Sequence, residues 1–290
     1  MKNDLKIAAV VVTYNRKELL KECLQALLNQ TRVLDEIIVI DNASTDGTEQ
    51  MVLSEFPQVT YVRLPENIGG AGGFHEGMKL AYEKGHDWIW VMDDDAKAKE
   101  DSLEKLLSAI AELKEQGPII GLWSQVVGED VDTFSTKKTL KPLDSAMFVG
   151  FAVNSKLIEK VGFPRGDFFL YYDDVEYCSR IRHAGGIILM VPNSIIFHKD
   201  WTHQPQVKRQ FMGWIIKTPQ IPRWKFYYLS RNDILRGLTA KDKLKGVIRS
   251  FKLLGKVLFT QPRAAGFVVL GIFHGILGIS GKKIDPSKVG

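Results

Sequence analysis

Cysteine is scarce in this chain, with only Cys23 and Cys178 among 290 residues. Each lies inside a helix-like apolar pattern, which excludes a disulfide framework and a CxxC metal site and fits a reducing, cytoplasmic compartment. No GxxxxGK[ST] string occurs, and the nearest approach to a dinucleotide fingerprint, Gly70-x-Gly72-x-x-His75, carries histidine where that motif needs Gly or Ala. A P-loop hydrolase and a dehydrogenase both lose support. The N-terminal apolar run ending in Thr13-Tyr14-Asn15 is too short and wrongly flanked for a secretory signal. Long apolar runs are equally rare: the stretch between Arg263 and Lys282 has no acidic or basic residue, but its glycines and His274 weaken it as a spanning helix. With 45% hydrophobic and 25% charged residues, the chain can bury a substantial core, so disorder is not expected.

Acid is lacking at one end. Residues 1 to 198 hold 21 basic against 30 acidic residues, whereas residues 199 to 290 hold 18 against 4, net charges of −9 and +14. A segment that basic expects an anionic surface, either nucleic acid or membrane. The apolar Val247, Ile248, Phe251, Leu254, Val257 and Leu258 interleave with the basic residues of Lys241 to Lys256, which favours an interfacial helix pair on an anionic membrane surface and no nucleic acid. A helical hairpin packed on its own domain or on a second subunit of a homo-oligomer is the competing reading. The composition shift divides the chain into residues 1–203 and a helical, basic and apolar extension over 204–290.

The first half alternates strand and helix patterns. Strands are expected at Ile7 to Val12, Glu36 to Ile40, Val59 to Leu64 and Trp88 to Met92. Helices are expected at Glu18 to Leu28, Thr45 to Phe56, Gly70 to Lys84 and Asp101 to Gln116. This order predicts an α/β fold, a mostly parallel sheet with helices on both faces, whose ligands bind at the carboxyl ends of the strands.

Polar residues collect at those ends: Thr13-Tyr14-Asn15-Arg16, Asp41-Asn42-Ala43-Ser44, Glu66-Asn67-Ile68-Gly69-Gly70 and Asp93-Asp94-Asp95. Asn15 and Ser44 also suit helix caps, and Asp41 a turn. The acidic triplet is harder to explain structurally, because like charges behind a buried strand repel and a cation is their natural compensation. Alternation along an extended segment puts Asp93 and Asp95 on one side and Asp94 on the other. A second acidic cluster, Asp173, Asp174 and Glu176, follows Phe168-Phe169-Leu170-Tyr171-Tyr172, and His198 ends the strand-like Ile195-Ile196-Phe197.

Taken together, Val11 to Arg16, Ile40 to Thr48, Glu66 to Gly70 and Asp93 to Asp95 resemble, in order and spacing, the GT-A glycosyltransferases of family 2 over about the first 200 residues. Asn67 to Phe74 and Met92 to Ala96 look most like the galactofuranosyltransferase branch, with rhamnosyltransferases close behind; Tyr172 stands where the former often has Trp. The resemblance implies a GT-A (Rossmann-like) domain plus the C-terminal extension. It implies that Thr13, Tyr14, Asn15 and Asp41 hold the nucleotide base, Asn67, Gly69 and Gly70 line the ribose or sugar, and Asp94 lies nearer the donor sugar. It assigns Asp95 and His198 as ligands of Mn²⁺ or Mg²⁺, with Asp93 assisting near the ribose or metal. Asp174 becomes the catalytic base, and Asp173, Glu176 and Trp201 fall on the acceptor side. His203, Tyr227, Tyr228, Arg231 and Asn232 are weaker candidates for the acceptor pocket or the diphosphate.

The implied function is an inverting, metal-dependent transfer of galactofuranose from UDP-galactofuranose to a lipid-linked cell-surface glycan, at the inner face of the cell membrane. dTDP-rhamnose is the alternative donor. From other classes, a nucleotidyltransferase would carry a Gly-rich basic loop after the first strand, which Thr13-Tyr14-Asn15-Arg16 is not; a catalytically silent nucleotide-sugar-binding partner need not keep Asp174.

Overall fold

The computed structural model describes residues 5–113, 120–128, 139–199 and 205–286. Its first strand, β1 (Ile7–Thr13), is buried throughout. Ala9 and Val11 enter one core while Ala8, Val10 and Val12 enter another, as period-two side chains must in a sheet covered on both faces. The alternation continues through α1 (Lys17–Leu28), β2 (Glu36–Asp41), α2 (Thr48–Glu55), β3 (Thr60–Arg63), α3 (Gly69–Glu83) and β4 (Trp88–Asp93). Then come β5 (Ala96–Ala98), α4 (Ser102–Leu113), β6 (Ile120–Val127), β7 (Lys141–Pro142), β8 (Phe151–Asn154), α5 (Ser155–Val161), α6 (Asp173–His183) and β9 (Ile187–His198).

The sheet runs β3-β2-β1-β4-β8-β6-β9-β5, with β7 also on β9. β3, β2, β1 and β4 are parallel neighbours; β8 is antiparallel to both β4 and β6, and β5 is antiparallel to β9. The expected α/β architecture is therefore present as a mixed sheet. Helices α1, α2 and α4 pack on one face and α3, α5 and α6 on the other.

The glycine cluster forms the first turns of α3, where a helix was expected from Gly70. A Cβ at Gly73 or Gly77 would overlap Val12 or Val10, so these two glycines let α3 lie close on β1 and β2, while one at Gly72 would run into Ile68 at the helix's own start. Gly69, at φ +81°, leaves room for the Phe169 carbonyl. Only Gly70 in this cluster faces open space.

The C-terminal region contains an antiparallel hairpin that the periodicity did not predict, β10 (Gln206–Phe211) with β11 (Trp214–Pro219). It continues into α7 (Lys225–Leu235), α8 (Ala240–Thr260) and α9 (Ala265–Ile276). Gly271 and Gly275, which seemed to weaken an apolar helix, bring α9 against α7 at Tyr227, Ser230, Arg231 and Ile234. The apolar stripe foreseen on α8 splits: Val257 is buried and Val247 and Leu254 half-buried, while Ile248, Phe251 and Leu258 face outward. At 12 residues α9 extends about 18 Å, and no helix among the described residues is long and apolar enough to cross a membrane.

Candidate active site

The carboxyl ends of β1, β2 and β4, together with the start of α3, form one rim. On it the acidic triplet splits, although Asp94 and Asp95 form the turn between β4 and β5 and not the extended segment expected. Thr13 Oγ1 donates to Asp94 Oδ2 at 2.8 Å, whereas Asp93, Asp95 and His198 bring one donor atom each to within 4.8 Å of one another. The short strand β5 makes this possible. Beginning immediately after the triplet, it pairs antiparallel with the end of β9, setting Ala96 opposite His198. His198 Nε2 thereby lies 3.2 Å from Asp95 Oδ1. Arg16, which the sequence reading quoted without a role, spans the split: its Nη1 is 3.2 Å from Asp94 Oδ1 and 2.8 Å from Asp95 Oδ2.

Burial dominates the electrostatics. It raises the Asp93 carboxyl to about 8, helped by the charges of Asp95 and Asp94, and raises Asp94 to about 6 against the pull of Arg16 and Thr13. Burial opposes ionisation of Asp95 as well, but hydrogen bonds and charge from His198 and Arg16 leave its pKa below the usual range. Two carboxylates and an imidazole, crowded until one carboxyl resists ionising, are a donor set suited to a divalent cation such as Mn²⁺ or Mg²⁺.

The remaining rim residues are tied to one another. Asn15, at φ +53°, accepts from Thr45 N at 2.7 Å through Oδ1, and its own N–H donates to Ser44 Oγ. Asp41 is fully buried, accepts from Ser44 N and Oγ through Oδ1, and accepts from the Tyr61 hydroxyl through Oδ2. Asn67 Oδ1 accepts from Gly69 N at 2.8 Å, and Tyr14 stands exposed. Tyr61 went unremarked in the sequence because it sits within a strand; its pairing with Asp41 follows only from the β2–β3 register.

The second acidic cluster opens α6. Phe169, Tyr171 and Tyr172 hold φ near +67°, +70° and +66°, left-handed backbone that costs about 1–3 kcal/mol for each non-glycine residue. Asp173 and Asp174 follow directly, in the first turn, where the helix dipole favours anions. Burial nevertheless raises both carboxyls: Asp173, which also feels Asp174 and Asp93, goes well above the usual range, and Asp174 to about 6. Asp174 is the more exposed of the two. The turn before α6 abuts the start of α3 on this rim: the Phe169 carbonyl accepts from Ala71 N at 3.3 Å and fits against Gly69.

Glu176 is not on this rim's free surface. It is buried, and its carboxylate is held by Arg180 Nε at 2.9 and 3.0 Å while that guanidinium also donates to the carbonyls of Val161 and Phe163. Tyr227, Tyr228, Arg231 and Asn232 are likewise fully buried. Trp201 and His203 lie outside the described residues. Arg236, unremarked in the sequence, stacks 4.8 Å from the Tyr172 ring.

Comparison with known proteins identifies the family and the fold. The glycosyl transferase family 2 model matches residues 8–179. Galactofuranosyltransferase GlfT1 of Mycolicibacterium smegmatis is 32% identical over 199 residues, covering 62% of this chain and 66% of its own. The match thus spans just under two thirds of that relative's length. The dTDP-rhamnosyl transferase RfbF of Shigella flexneri is 25% identical over 304 residues, covering 95% of this chain and 97% of RfbF. A crystal structure of GalNAc-T7 with UDP, GalNAc and Mn²⁺ superposes with a TM-score of 0.57 at 17% identity, over 86% of this chain and 55% of that one, a likeness of fold.

Proposed function

The chain belongs to glycosyl transferase family 2, and on that footing we propose that it transfers a sugar, with inversion, from a nucleotide-sugar donor to a glycan hydroxyl. The observation that carries this reading is the meeting of Asp93 and Asp95 with His198 on the rim of strand ends, beside the acidic turn that opens α6 and packs on the start of α3. A divalent cation held by Asp93, Asp95 and His198 would supply positive charge for the departing diphosphate.

The chain's own residues do the rest. Exposed Tyr14 and Asn15 form the wall for the nucleotide base, with buried Thr13 and Asp41 supporting it from behind, and Asn67, Gly69 and Gly70 form the ribose side, where Gly70 faces open space. Asp94 lies on the opposite side of the triplet from the cation ligands, toward the donor. Asp174 accepts the proton of the acceptor hydroxyl as that oxygen bonds to the anomeric carbon. The bond from that carbon to the diphosphate oxygen breaks on the opposite face, which inverts the centre.

Galactofuranose from UDP-galactofuranose is the favoured donor sugar, supported by the similarity to GlfT1. Rhamnose from dTDP-rhamnose is a second reading, favoured by the similarity to RfbF across nearly the whole chain. The acceptor is a lipid-linked cell-surface glycan, and the enzyme works in the cytoplasm, peripheral to the inner face of the membrane. Exposed Ile248, Phe251 and Leu258 on α8, and Phe273 and Ile276 on α9, support that placement beside the surrounding lysines.

Calorimetry with UDP and dTDP tests the centre. The preferred nucleotide should bind at least about tenfold more tightly with Mn²⁺ than with EDTA, and Asp95→Ala should remove most of that difference. Equal affinity with and without metal overturns the metal-linked site.

A further inference from the structure

The acidic turn is held from behind by two residues of α7. Asn232 Nδ2 lies 3.0 Å from the Phe168 carbonyl, 2.8 Å from that of Leu170 and 3.1 Å from that of Tyr171. The orientation of this amide is set by its neighbour: Arg231 Nε donates to Asn232 Oδ1 at 2.8 Å, which turns the amide nitrogen toward the loop. The same guanidinium donates to the Phe168 carbonyl at 2.8 Å and the Gly281 carbonyl at 2.5 Å. Both side chains are completely buried. From the opposite side, Ala71 N donates to the Phe169 carbonyl at 3.3 Å, an approach open only because Gly69 has no side chain.

We propose that Asn232, oriented by Arg231, is a positioning residue for the transfer reaction, fixing the left-handed path of Phe168–Tyr172 that sets where Asp173 and Asp174 stand. The polar pair bonds the carbonyls of Phe168 and Leu170, which flank strained Phe169, and Asn232 also that of strained Tyr171, and the strained path ends at Tyr172, immediately before the acidic pair. Apolar side chains would satisfy the packing of α7 without any desolvation of a cation and an amide; they could not hold those carbonyls. Left-handed backbone at three aromatic residues persists only where its surroundings over-determine it. Without the Asn232 amide, the turn relaxes and the acidic pair moves away from the reacting centre. A misplacement on the ångström scale is enough to lower turnover by about a hundredfold.

The inference rests on the acidic turn bearing the base, and its test separates the two. Turnover is followed as UDP release from UDP-galactofuranose, or as dTDP release from dTDP-rhamnose where the former is not consumed. Nucleotide affinity is measured in parallel by calorimetry. Asn232→Ala should lower kcat at least about tenfold while the Kd for the nucleotide stays within about twofold. In the Asp174→Asn or Asp173→Asn background, whichever is impaired, Asn232→Ala should add less than about twofold, because it acts through that carboxylate. Should Asn232→Ala prove insoluble, Arg231→Lys, which keeps the charge but cannot hold the amide through Nε, carries the same expectation. Wild-type kcat in these variants, a parallel loss of nucleotide affinity, or an equal fold-loss in both backgrounds overturns the positioning role. Unimpaired turnover in both Asp173→Asn and Asp174→Asn instead overturns the base reading by itself.

Discussion

A carboxylate that takes a proton from an acceptor hydroxyl must first be ionised, and burial holds Asp174 back from ionising until about pH 6. Transfer should therefore rise with pH through about 6 and level off above it, since the raised pKa leaves the group protonated and idle below that point. Asp94 ionises in the same range, so nucleotide binding must be measured across the same pH values to separate the two. Asp174→Asn keeps the shape and loses the proton acceptor; transfer should fall by at least about 10²-fold with nucleotide affinity retained. If Asp173→Asn is the inactive variant and Asp174→Asn is not, the base is the more buried carboxylate. At this scale the sequence is most legible where geometry is local. The expected separation of Asp94 from Asp93 and Asp95 is present, but it arises in the turn between β4 and β5 and not from strand alternation. The ion pair of Glu176 was also within reach, because Arg180 stands four residues later on the same helix face. The Asp41–Tyr61 bond was not, since it depends on which strands are neighbours.

Elements of the front half follow their periodicity to within a few residues at each end because β1, β2 and β4 are buried along nearly their whole length and the helices on one face, with only the edge strand β3 partly exposed among these four strands. The failures are short or two-sided elements. With three residues, β5 is too brief to show a period, although it sets Ala96 opposite His198 and so brings that imidazole to Asp95. The β10–β11 hairpin mixes lysines with exposed Trp214 and Ile215, and its packed side, with Thr218 buried and Ile216 half-buried, is too short and polar to impose a clear alternation. The glycines of α3 were legible as the start of a helix, but not as its contact with the sheet, which composition does not show. That contact carries its own consequence: Gly77→Ala drives a methyl into Val10 Cγ1 and against Ile40, both fixed in the sheet. Overpacking of this kind costs about 1–3 kcal/mol, so the midpoint of denaturant unfolding should fall, whereas Gly70→Ala, which meets nothing, should leave it nearly unchanged. A Gly77→Ala protein as stable as the parent would mean that α3 can lift from the sheet without penalty.

Across the whole molecule, the division between a net charge of −9 and one of +14 runs alongside a division of surface character. The sequence alone could not tell an interfacial helix pair from a packed hairpin, and the structure contains elements of both. α8 and α9 pack on α7, yet Ile248 and Phe251 remain 48% and 55% exposed beside exposed Lys241, Lys245, Lys252 and Lys256. Cutting the chain near Lys241 would strip the cover from Ile234 and Tyr227, so a shortened protein is a poor test of this surface. Substitutions on the outer face are better, because they leave the packed face intact. Each lysine close to an anionic bilayer contributes about 1 kcal/mol that salt screens, while inserted Phe and Ile side chains add an apolar term that salt does not. The full chain should co-sediment with phosphatidylglycerol vesicles and be only partly released by high salt. The double variant Ile248→Glu/Phe251→Glu should be released fully, with its thermal midpoint unchanged. A parent chain that ignores vesicles at low salt, but forms a dimer that the same variant dissociates, would assign this face to a second copy of the chain and remove the membrane from the proposed function.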